Sequence, residues 1–557
     1  MSLPNESPTD TKLNMPPSSK AAAAPIQSVW GPLKIPVFRM LWCTWLAANI
    51  SMWMNDVAAA WMMTSLTTSP IWVALVQTAS TLPVFLLGLP SGALADILDR
   101  RRYFIITQFW LAGTAVVLCI AVLLDIITPP LLLALSFANG IGLAMRWPVF
   151  SALIPEVVPR PQLPSALALN GVSMNASRII GPLVAGALIA SAGTAYVFVL
   201  NAILSLFSGF VIMRWRREHS PSPLGRERLL SAMRVGMQFV SQSARLRSVF
   251  IRVSLFFLHS TALLALLPLL ARRLNGGDAG TFTLLLASMG AGAITVVMLL
   301  PRIRQFLNGN RLVMAGALLQ SLATLIMAFA PNVYVAVPAI FLGGMAWLCT
   351  ANSLSVTAQM ALPDWVRARG MSMYQMAIMG GTALGAALWG QVATVSSLTV
   401  SLVTAAATGS IAMFLAIRLM KDSGQQEDLT PSREFKVPEE QTAPPTGHVV
   451  VTFEYRIDPA RATAFVALMQ QSRRSRLRQG ALSWELLHDL GEPGRYIEQV
   501  VDESWTEHLR RFDRITAADV ALRDRKLAFH VAAEPPVVTR YAMKGSERPH
   551  PGGGARP

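Results

Sequence analysis

The chain has 557 residues, of which 53% are apolar and only 14% are charged, and its formal net charge at pH 7 is +16. A soluble domain carries roughly 25% charged residues, so this composition excludes an ordinary soluble protein. The basic residues stand between long apolar runs, which is typical of membrane topology and not of nucleic acid binding. The sequence therefore predicts an integral membrane protein.

Apolar stretches follow one another from about residue 38 to residue 420. Each is roughly 20 residues long, which is enough to cross a bilayer as a helix. About twelve are predicted, in two groups of six, at residues 38–63, 70–95, 103–126, 130–154, 165–191, 195–214, 248–271, 280–301, 311–330, 333–360, 370–393 and 398–419. The predicted fold is an all-α polytopic membrane protein with two six-helix bundles, followed by a small α+β domain.

The composition divides the chain further. We expect a disordered cytoplasmic tail (1–36), the N-terminal bundle (37–215), a basic cytoplasmic loop (216–246), the C-terminal bundle (247–421), a linker (422–446), a soluble domain (447–543) and a disordered tail (544–557). Within the basic loop, residues 226–240 are amphipathic and are predicted to rest on the membrane surface.

Positive charge indicates the orientation. Arginines concentrate in one alternating set of loops and in the central connection, whereas the other loops offer only Arg272 and Arg273. By the positive-inside rule, both termini and the central loop are predicted to be cytoplasmic, in the inner membrane.

Two loops indicate an internal repeat. Residues 153–160 read LIPEVVPR, and residues 361–367 at the corresponding place of the second half read ALPDWVR. Parallel repeats of this kind pack around a central cavity in transporters.

Beyond the linker, alternation with period two predicts strands at 448–456, 483–489, 496–502 and 537–543, with helices at 459–478 and 504–527. Ser504 or Asp502 is available to cap the second helix. The order βαββαβ is the ferredoxin-like arrangement.

Ionisable residues at membrane depth are costly and therefore indicate function. Asp56 in the first stretch is either a proton-carrying carboxylate or the fixed partner of an arginine. Arg178 in the fifth stretch either binds an anionic substrate or neutralises Asp56, and Asn175 shares its helical face. For Arg146 in the fourth stretch, a structural role is the first interpretation. For His259 in the seventh, an interface histidine is the first interpretation and a proton relay the second.

Motifs in the first half carry a resemblance. The segment GALADILDRRR at residues 92–102 resembles the loop signature of the major facilitator superfamily, although Ile97 and Asp99 depart from it. The resemblance implies that Gly92, Asp96, Arg100 and Arg101 latch one conformer. Residues 178–186 resemble the Gly-Pro signature of proton-coupled exporters, with the roles of Gly181, Pro182 and Gly186 in bending and close helix packing.

Together with residues 55–61 and 66–70, these motifs resemble the transmembrane secretion effector branch, over essentially residues 35–420. The soluble domain resembles the tail that some members carry, and its fold resembles dimeric α/β-barrel domains. There, Trp505, His508 and His488 are candidates for a small-molecule site or, more simply, for packing and a dimer surface.

The leading hypothesis is a proton-coupled exporter of small molecules that works by alternating access, with no enzymatic activity, cofactor, metal or nucleic acid partner. Its expected partners are a small-molecule substrate, protons, the bilayer and a second copy through the soluble domain. An importer of organic anions and a membrane-anchored enzyme or sensor remain as alternatives.

Overall fold

The computed structural model describes residues 30–97, 99–159, 162–214, 229–274, 277–420, 428–432, 434–435 and 447–543. The predicted terminal tails lie outside the described residues, apart from residues 30–36 of the N-terminal tail. A 3-10 turn at Gly31–Lys34 leads into the helices α1 Pro36–Leu66, α2 Pro70–Ile97, α3 Arg100–Leu123, α4 Pro129–Val157, α5 Leu163–Ser191, α6 Thr194–Arg214, α7 Leu229–Gln242, α8 Ala244–Arg273, α9 Ala279–Phe306, α10 Gly309–Ala328, α11 Val333–Met360, α12 Asp364–Val395 and α13 Leu398–Leu419.

The helix boundaries follow from short polar residues between the apolar runs. Ser243, Asp278 and Asn308 are N-caps whose side chains each accept a hydrogen bond from the backbone three residues on. Within the described residues, ten of the helices are long and apolar enough to cross a membrane, namely α2, α3, α5, α6 and α8 to α13. Two of the twelve predicted spans, α1 and α4, fall outside that set, and α1 carries Asn49, Asn55 and Asp56.

The helices form the two predicted bundles, α1–α6 and α8–α13. The bundles meet mainly where α2 packs on α12 and α5 packs on α9. The second helix of each half therefore contacts the fifth helix of the other, as expected for two related halves. Thr78 Oγ1 on α2 donates a hydrogen bond to the carbonyl of Ala383 on α12 at 2.9 Å.

The apolar core shows on which side the bundles are joined. We call the side where α1 begins the domain side, because the soluble domain packs there, and the opposite side the far side. One buried cluster on the far side draws residues from both bundles, among them Met63, Val73, Leu266 and Trp389. Two clusters on the domain side each belong to one bundle, and a third joins Phe239 of α7 to the C-terminal bundle. The buried core therefore runs across both bundles on the far side, whereas no described cluster crosses between them on the domain side.

The amphipathic helix α7 packs on protein along one face, whereas its predicted location on the membrane surface stays a prediction. Its Val235 and Phe239 are buried. Phe239 meets Trp365 at the start of α12 edge to face, with ring centroids 5.6 Å apart. The helix also contacts Gly480 of the soluble domain through Val235.

The soluble domain contains the strands β1 Val449–Arg456, β2 Ser483–His488, β3 Arg495–Asp502 and β4 Val537–Ala542 and the helices α14 Ala462–Arg478, α15 Trp505–Asp513 and α16 Ala517–Leu527. The sheet is antiparallel in the order β2-β3-β1-β4. This is the ferredoxin-like order, as predicted. Ser504 is the N-cap of α15, and its Oγ accepts a hydrogen bond from the Glu507 amide at 3.2 Å.

The single helix predicted at 504–527 is wrong, because the chain forms two helices there. Thr516 starts α16 with a capping box, in which Asp519 Oδ2 accepts from the Thr516 amide at 2.9 Å. A capping box begins a helix and therefore interrupts the preceding one.

Part of the predicted linker is bound to the soluble domain. The Ser432 amide donates to the carbonyl of Ile515 at 3.0 Å, and the Ala517 amide donates to the carbonyl of Thr430 at 2.9 Å. We call residues 428–432 and 434–435 the strap. It connects the end of the C-terminal bundle to the α15–α16 corner.

The soluble domain also contacts α7 directly. Glu503 accepts hydrogen bonds from Ser231 Oγ at 2.5 Å and from Arg234 at 2.7 Å. Gly480 lies against the Val235 side chain, and a Cβ built at this glycine would lie 2.8 Å from Val235. The domain is thus docked on the helix that links the two halves.

Candidate functional site

Asp56 lies on α1 ten residues before the far end of the helix, about 15 Å along its axis. Its side chain is half-buried. Among the described residues, no hydrogen bond or ion pair reaches its carboxylate. The alternative of a fixed arginine partner therefore finds no support within the described part of the chain.

The neighbouring amide has a different role. Asn55 Oδ1 accepts from Asn201 Nδ2 on α6 at 3.0 Å, and Asn201 Oδ1 in turn accepts from Ser51. All three side chains are buried. This network joins α1 to α6 inside the N-terminal bundle. Asn201 was not predicted as a site residue, although a lone amide in an apolar stretch is a recognisable signal.

Arg178 lies at the meeting of the two bundles. Its guanidinium carbon is 4.4 Å from the ring centre of Trp347 on α11 and 5.4 Å from that of Trp53 on α1. Its Nε is buried and has no hydrogen-bond partner among the described residues. Cation–π contacts hold the cation without neutralising it. Nothing in the local sequence indicates Trp347 as a partner, since 168 positions separate it from Arg178.

Arg178 and Asp56 are neighbours without being partners. A Cβ built at Gly181 would lie 2.5 Å from the Trp53 Cβ, so these positions of α5 and α1 are level. Arg178 precedes Gly181 by three residues and Asp56 follows Trp53 by three. At 1.5 Å per residue, the Cα atoms of Arg178 and Asp56 are offset by about 9 Å along the helices. The side chain of Asn175 lies outside the described residues.

Arg146 lies inside the N-terminal bundle. Its side chain is almost completely buried and donates to Asn49 Oδ1 at 3.2 Å. Its guanidinium carbon lies 5.1 Å from the ring centre of Trp45. It therefore ties α4 to α1 and does not extend to the membrane surface.

His259 lies inside the C-terminal bundle. Its Nδ1 is 2.7 Å from the Leu255 carbonyl, and its ring borders a small cavity with Gln320 on α10 and Gly409 on α13. Its described partners all come from the C-terminal bundle. The structure does not bring it to Asp56 or Arg178.

The glycines of the exporter-type motif lie at two different helix contacts. Gly181 packs on α1, whereas a Cβ at Gly186 would come within 2.2 Å of Thr283 Oγ1 on α9. Pro182 is buried between them. Gly186 therefore permits the contact between the bundles.

An aromatic contact closes the far side above Asp56. Trp61 stacks on Phe282 of α9 with ring centroids 5.2 Å apart, and the Arg272 guanidinium carbon lies 5.1 Å from the Trp61 ring centre. These residues come from both bundles, so they must separate if the far side opens.

The predicted latch is only partly described. The side chains of Gly92, Asp96 and Arg100 lie outside the described residues. Arg101 donates to the Met213 carbonyl on α6 at 2.6 Å, which is a contact within the N-terminal bundle.

In the soluble domain, His508 and Trp505 lie together, with ring centroids 5.3 Å apart. His488 does not join them. It stacks on Tyr496 at 4.4 Å, and its Nε2 is 3.0 Å from the Pro493 carbonyl at the end of the β2–β3 hairpin.

Two buried charge clusters lie beneath the helices of this domain. Glu498 accepts hydrogen bonds from Ser472, Trp484 and Lys526 at 2.7, 2.9 and 3.1 Å. Burial alone would raise the pKa of Glu498, but Lys526, Arg476 and the two neutral donors hold it well below its usual range. Burial lowers the pKa of Lys526 to about 8, against the opposing effect of Glu498. The sequence signal that could have identified this cluster is an acidic residue, Glu498, at an inward-facing position of β3.

The second cluster is centred on Asp502. Its carboxylate accepts from Arg511 at 2.7 Å and lies 2.8 Å from His508 Nδ1. Burial would raise the pKa of Asp502, but Arg511 and His508 keep it below its ordinary value. Burial lowers the pKa of His508 despite Asp502.

Residues 27–550 match the sequence profile of the transmembrane secretion effectors, a family of the major facilitator transporters. This chain belongs to that family. The match includes the soluble domain as well as both bundles. The family consists of transporters and not of enzymes, so this secretion effector is a multi-pass membrane transporter with a small-molecule substrate.

Its relatives are distant, but each alignment covers most of the relative's own length. The chain is 22% identical over 327 residues to the staphyloferrin A transporter of Staphylococcus aureus (strain NCTC 8325 / PS 47), which covers 58% of this chain and 81% of that protein. It is 24% identical over 361 residues to the enterobactin exporter EntS of Escherichia coli O1:K1 / APEC, covering 64% and 85%.

Solved structures support the fold of this secretion effector. A POT family transporter in complex with a thioalcohol-conjugated peptide superposes with a TM-score of 0.58 at 12% identity, covering 70% of this chain and 97% of that one. A bacterial homologue of the lysosomal transporter Spinster gives 0.55 at 14%, covering 71% and 99%. The major facilitator fold, implied by the sequence motifs, is confirmed.

Proposed function

We propose that the protein is a proton-driven exporter of small molecules and that Asp56 carries the coupled proton. The observation that supports this most is the isolation of Asp56, whose carboxylate has no counter-charge among the described residues. Burying an unpaired charge is costly. A proton bound or released at this position would therefore be coupled to which side of the bundles is open.

Arg178 is the proposed substrate contact. It bridges Trp53 of one bundle and Trp347 of the other, so a ligand bound there touches both moving parts. An uncompensated guanidinium between two indole rings suits an anionic ligand with flat apolar groups. Two relatives are by name a staphyloferrin A transporter and an enterobactin exporter. We therefore propose siderophores or similar metabolites as the substrate class.

The proposed direction rests on the Gly-Pro motif at Gly181 and Pro182 and on the relative that is by name an enterobactin exporter. If the arginine-rich loops are cytoplasmic, the domain side faces the cytoplasm and both termini lie there, in the inner membrane. Closure by Trp61 and Phe282 then separates the site from the outside. An exporter in this state would take up its substrate from the cytoplasm.

A comparison of secreted metabolites tests the proposal. Cells of the source organism that lack the gene would be complemented with wild type, with Asp56→Asn or with Asp125→Asn. Their growth media would be analysed by mass spectrometry under iron limitation and after addition of drugs. Asp125 is an exposed acid of the α3–α4 loop and serves as the matched control. We expect a metabolite outside the cells with wild type and Asp125→Asn only.

A different pattern would contradict the proposal. Identical media from all strains would contradict the proposed export. Accumulation of an anion inside the wild-type cells would favour the alternative of an importer. Full export by Asp56→Asn would make Asp56 structural. Membrane amounts of each variant, measured by immunoblot, separate these outcomes from failed insertion.

A further inference from the structure

The soluble domain encloses a cavity of about 260 Å³ between its sheet and its helices. One water molecule occupies roughly 30 Å³ in the liquid, so the cavity has room for far more than a bound water. It is slightly smaller than the roughly 300–1,000 Å³ typical of sites for drug-sized ligands. Its size suits a small organic molecule.

The walls of the cavity carry more positive than negative charge. The charged side chains that line it are Arg476, Arg511, Arg523, Lys526, Arg540 and Asp519. Glu498 and Asp502, behind the wall, pair with three of the cations, and Arg523 pairs with Glu434 and Asp524. Arg540 on β4 is exposed and has no ion pair among the described residues. Its charge favours an anion at the mouth of the cavity.

His508 supplies an unused acceptor. Because Asp502 is held ionised by Arg511, its oxygen accepts from His508 Nδ1, and the neutral ring then has its lone pair on Nε2. That Nε2 is buried without a hydrogen-bond partner among the described residues, in a side chain only 2% exposed. Buried polar atoms normally have partners, so an orphan in a cavity wall indicates a missing donor.

A second orphan lies on the next turn of the same helix. Arg511 also lines the cavity, and its Nε is buried without a described partner. An N–H group of this kind needs an acceptor such as a carboxylate oxygen. One molecule with both a hydroxyl donor and a carboxylate would satisfy both residues.

Apolar side chains form a further part of the wall. Phe453 on β1, Phe512 on α15 and Val538 on β4 contribute to it. Flat apolar side chains around a few polar groups are typical of ligand pockets. A ring or a short hydrocarbon segment would fill this part of the space.

We propose that the cavity binds a small aromatic or apolar hydroxy acid, whose hydroxyl donates to His508 Nε2 and whose carboxylate lies near Arg511 and Arg540. The site lies in the soluble domain, away from Asp56 and Arg178. It does not rest on the proposed transport cycle. Phe435 of the strap also lines the cavity, so the ligand would touch the segment that leads to the last membrane helix.

Calorimetric titration of the purified full chain in detergent tests the site. The probes are 4-hydroxybenzoate, 3-hydroxybenzoate and 3-phenyllactate, with benzoate lacking the hydroxyl and 4-hydroxybenzyl alcohol lacking the carboxylate. We expect at least one hydroxy acid to bind, and each control to bind roughly tenfold or more weakly, because it leaves a buried group unpaired.

Matched variants place the binding in the cavity. Val538→Trp fills the space and should abolish binding, whereas Val537→Trp on the other face of the same strand should leave affinity within about twofold. Arg540→Gln should weaken binding roughly fivefold, as expected for a charge at an exposed mouth, whereas Arg473→Gln on the outer surface of α14 should not. Hydrogen exchange of β1 and β3 shows that each variant is folded.

Two results would overturn the proposal. One is the absence of measurable binding of all three hydroxy acids at millimolar concentration. The other is binding that is equally strong in folded Val538→Trp and Arg540→Gln. Because these measurements involve no transport, they stand or fall separately from the proposed export function.

Discussion

Removing the charge of Glu498 should unfold the soluble domain well below the temperature at which the wild-type domain unfolds. Glu498 is fully buried and is the carboxylate to which both Lys526 and Arg476 pair. Glu498→Gln keeps the size of the side chain but leaves two buried cations without that partner. Breaking a buried pair in this way costs about 3–5 kcal/mol.

The expected shift in melting temperature is large because the domain is small. For a domain of about 100 residues, each kcal/mol lowers the melting temperature by roughly 4–8 °C, so the variant should melt roughly 12–40 °C lower. Glu485→Gln, an exposed acid on β2, is the matched control and should stay within about 0.5 kcal/mol of wild type.

Hydrogen–deuterium exchange of β1 and β3 in the full chain, measured as temperature rises, monitors this domain separately from the membrane helices. A Glu498→Gln domain that melts within a few degrees of wild type would refute the reasoning. It would mean that the two cations find other partners or lose their charge at little cost.

The remaining predictions concern pH, the bundle contact and the docked domain. The pKa of Glu498 is held below its ordinary value of 4.5, so the stabilising contribution of its charge is complete above pH 4.5 and is lost on further acidification. The difference in stability between wild type and Glu498→Gln should therefore narrow below pH 4.5. A difference that stays constant would contradict this prediction. Gly186→Ala should disfavour the α5–α9 contact by about 1–3 kcal/mol. In a background without native cysteines, it should therefore reduce disulfide formation between cysteines introduced by Ile179→Cys and Gly290→Cys. Gly113→Ala, whose new methyl group meets open space, should not reduce disulfide formation. Val235→Asp should undock the soluble domain and speed hydrogen exchange at residues 479–481, whereas the exposed Met237→Asp should leave it unchanged.

Much of the membrane part was predictable because helix length and apolarity are local properties. The predicted stretch 333–360 matches α11, and the stretch 398–419 matches α13. The two halves and the ferredoxin-like order of the soluble domain also followed from pattern. The break at Thr516 was missed because a capping box inside a helical pattern looks like two ordinary polar residues.

The candidate site was less predictable because its contacts are long-range. Asp56 and Arg178 stood out as charges within apolar stretches, and they lie near each other in the fold. That Arg178 lies between Trp53 and Trp347 depends on how two bundles meet, which no local pattern states. The cavity in the soluble domain likewise depends on residues of five elements and the strap. His259 was a candidate because it lies within an apolar stretch and His488 because of its residue type, and the fold places both elsewhere.

Reconstituted protein gives the most direct test of the role of Asp56. Wild type, Asp56→Asn and Asp125→Asn would be placed in vesicles containing a pH-sensitive dye, and a gradient of the exported metabolite applied. The account predicts that the gradient changes the internal pH with wild type and Asp125→Asn but not with Asp56→Asn. If Asp56→Asn moved the metabolite with the same pH change per molecule as wild type, the proposed role of Asp56 would be contradicted.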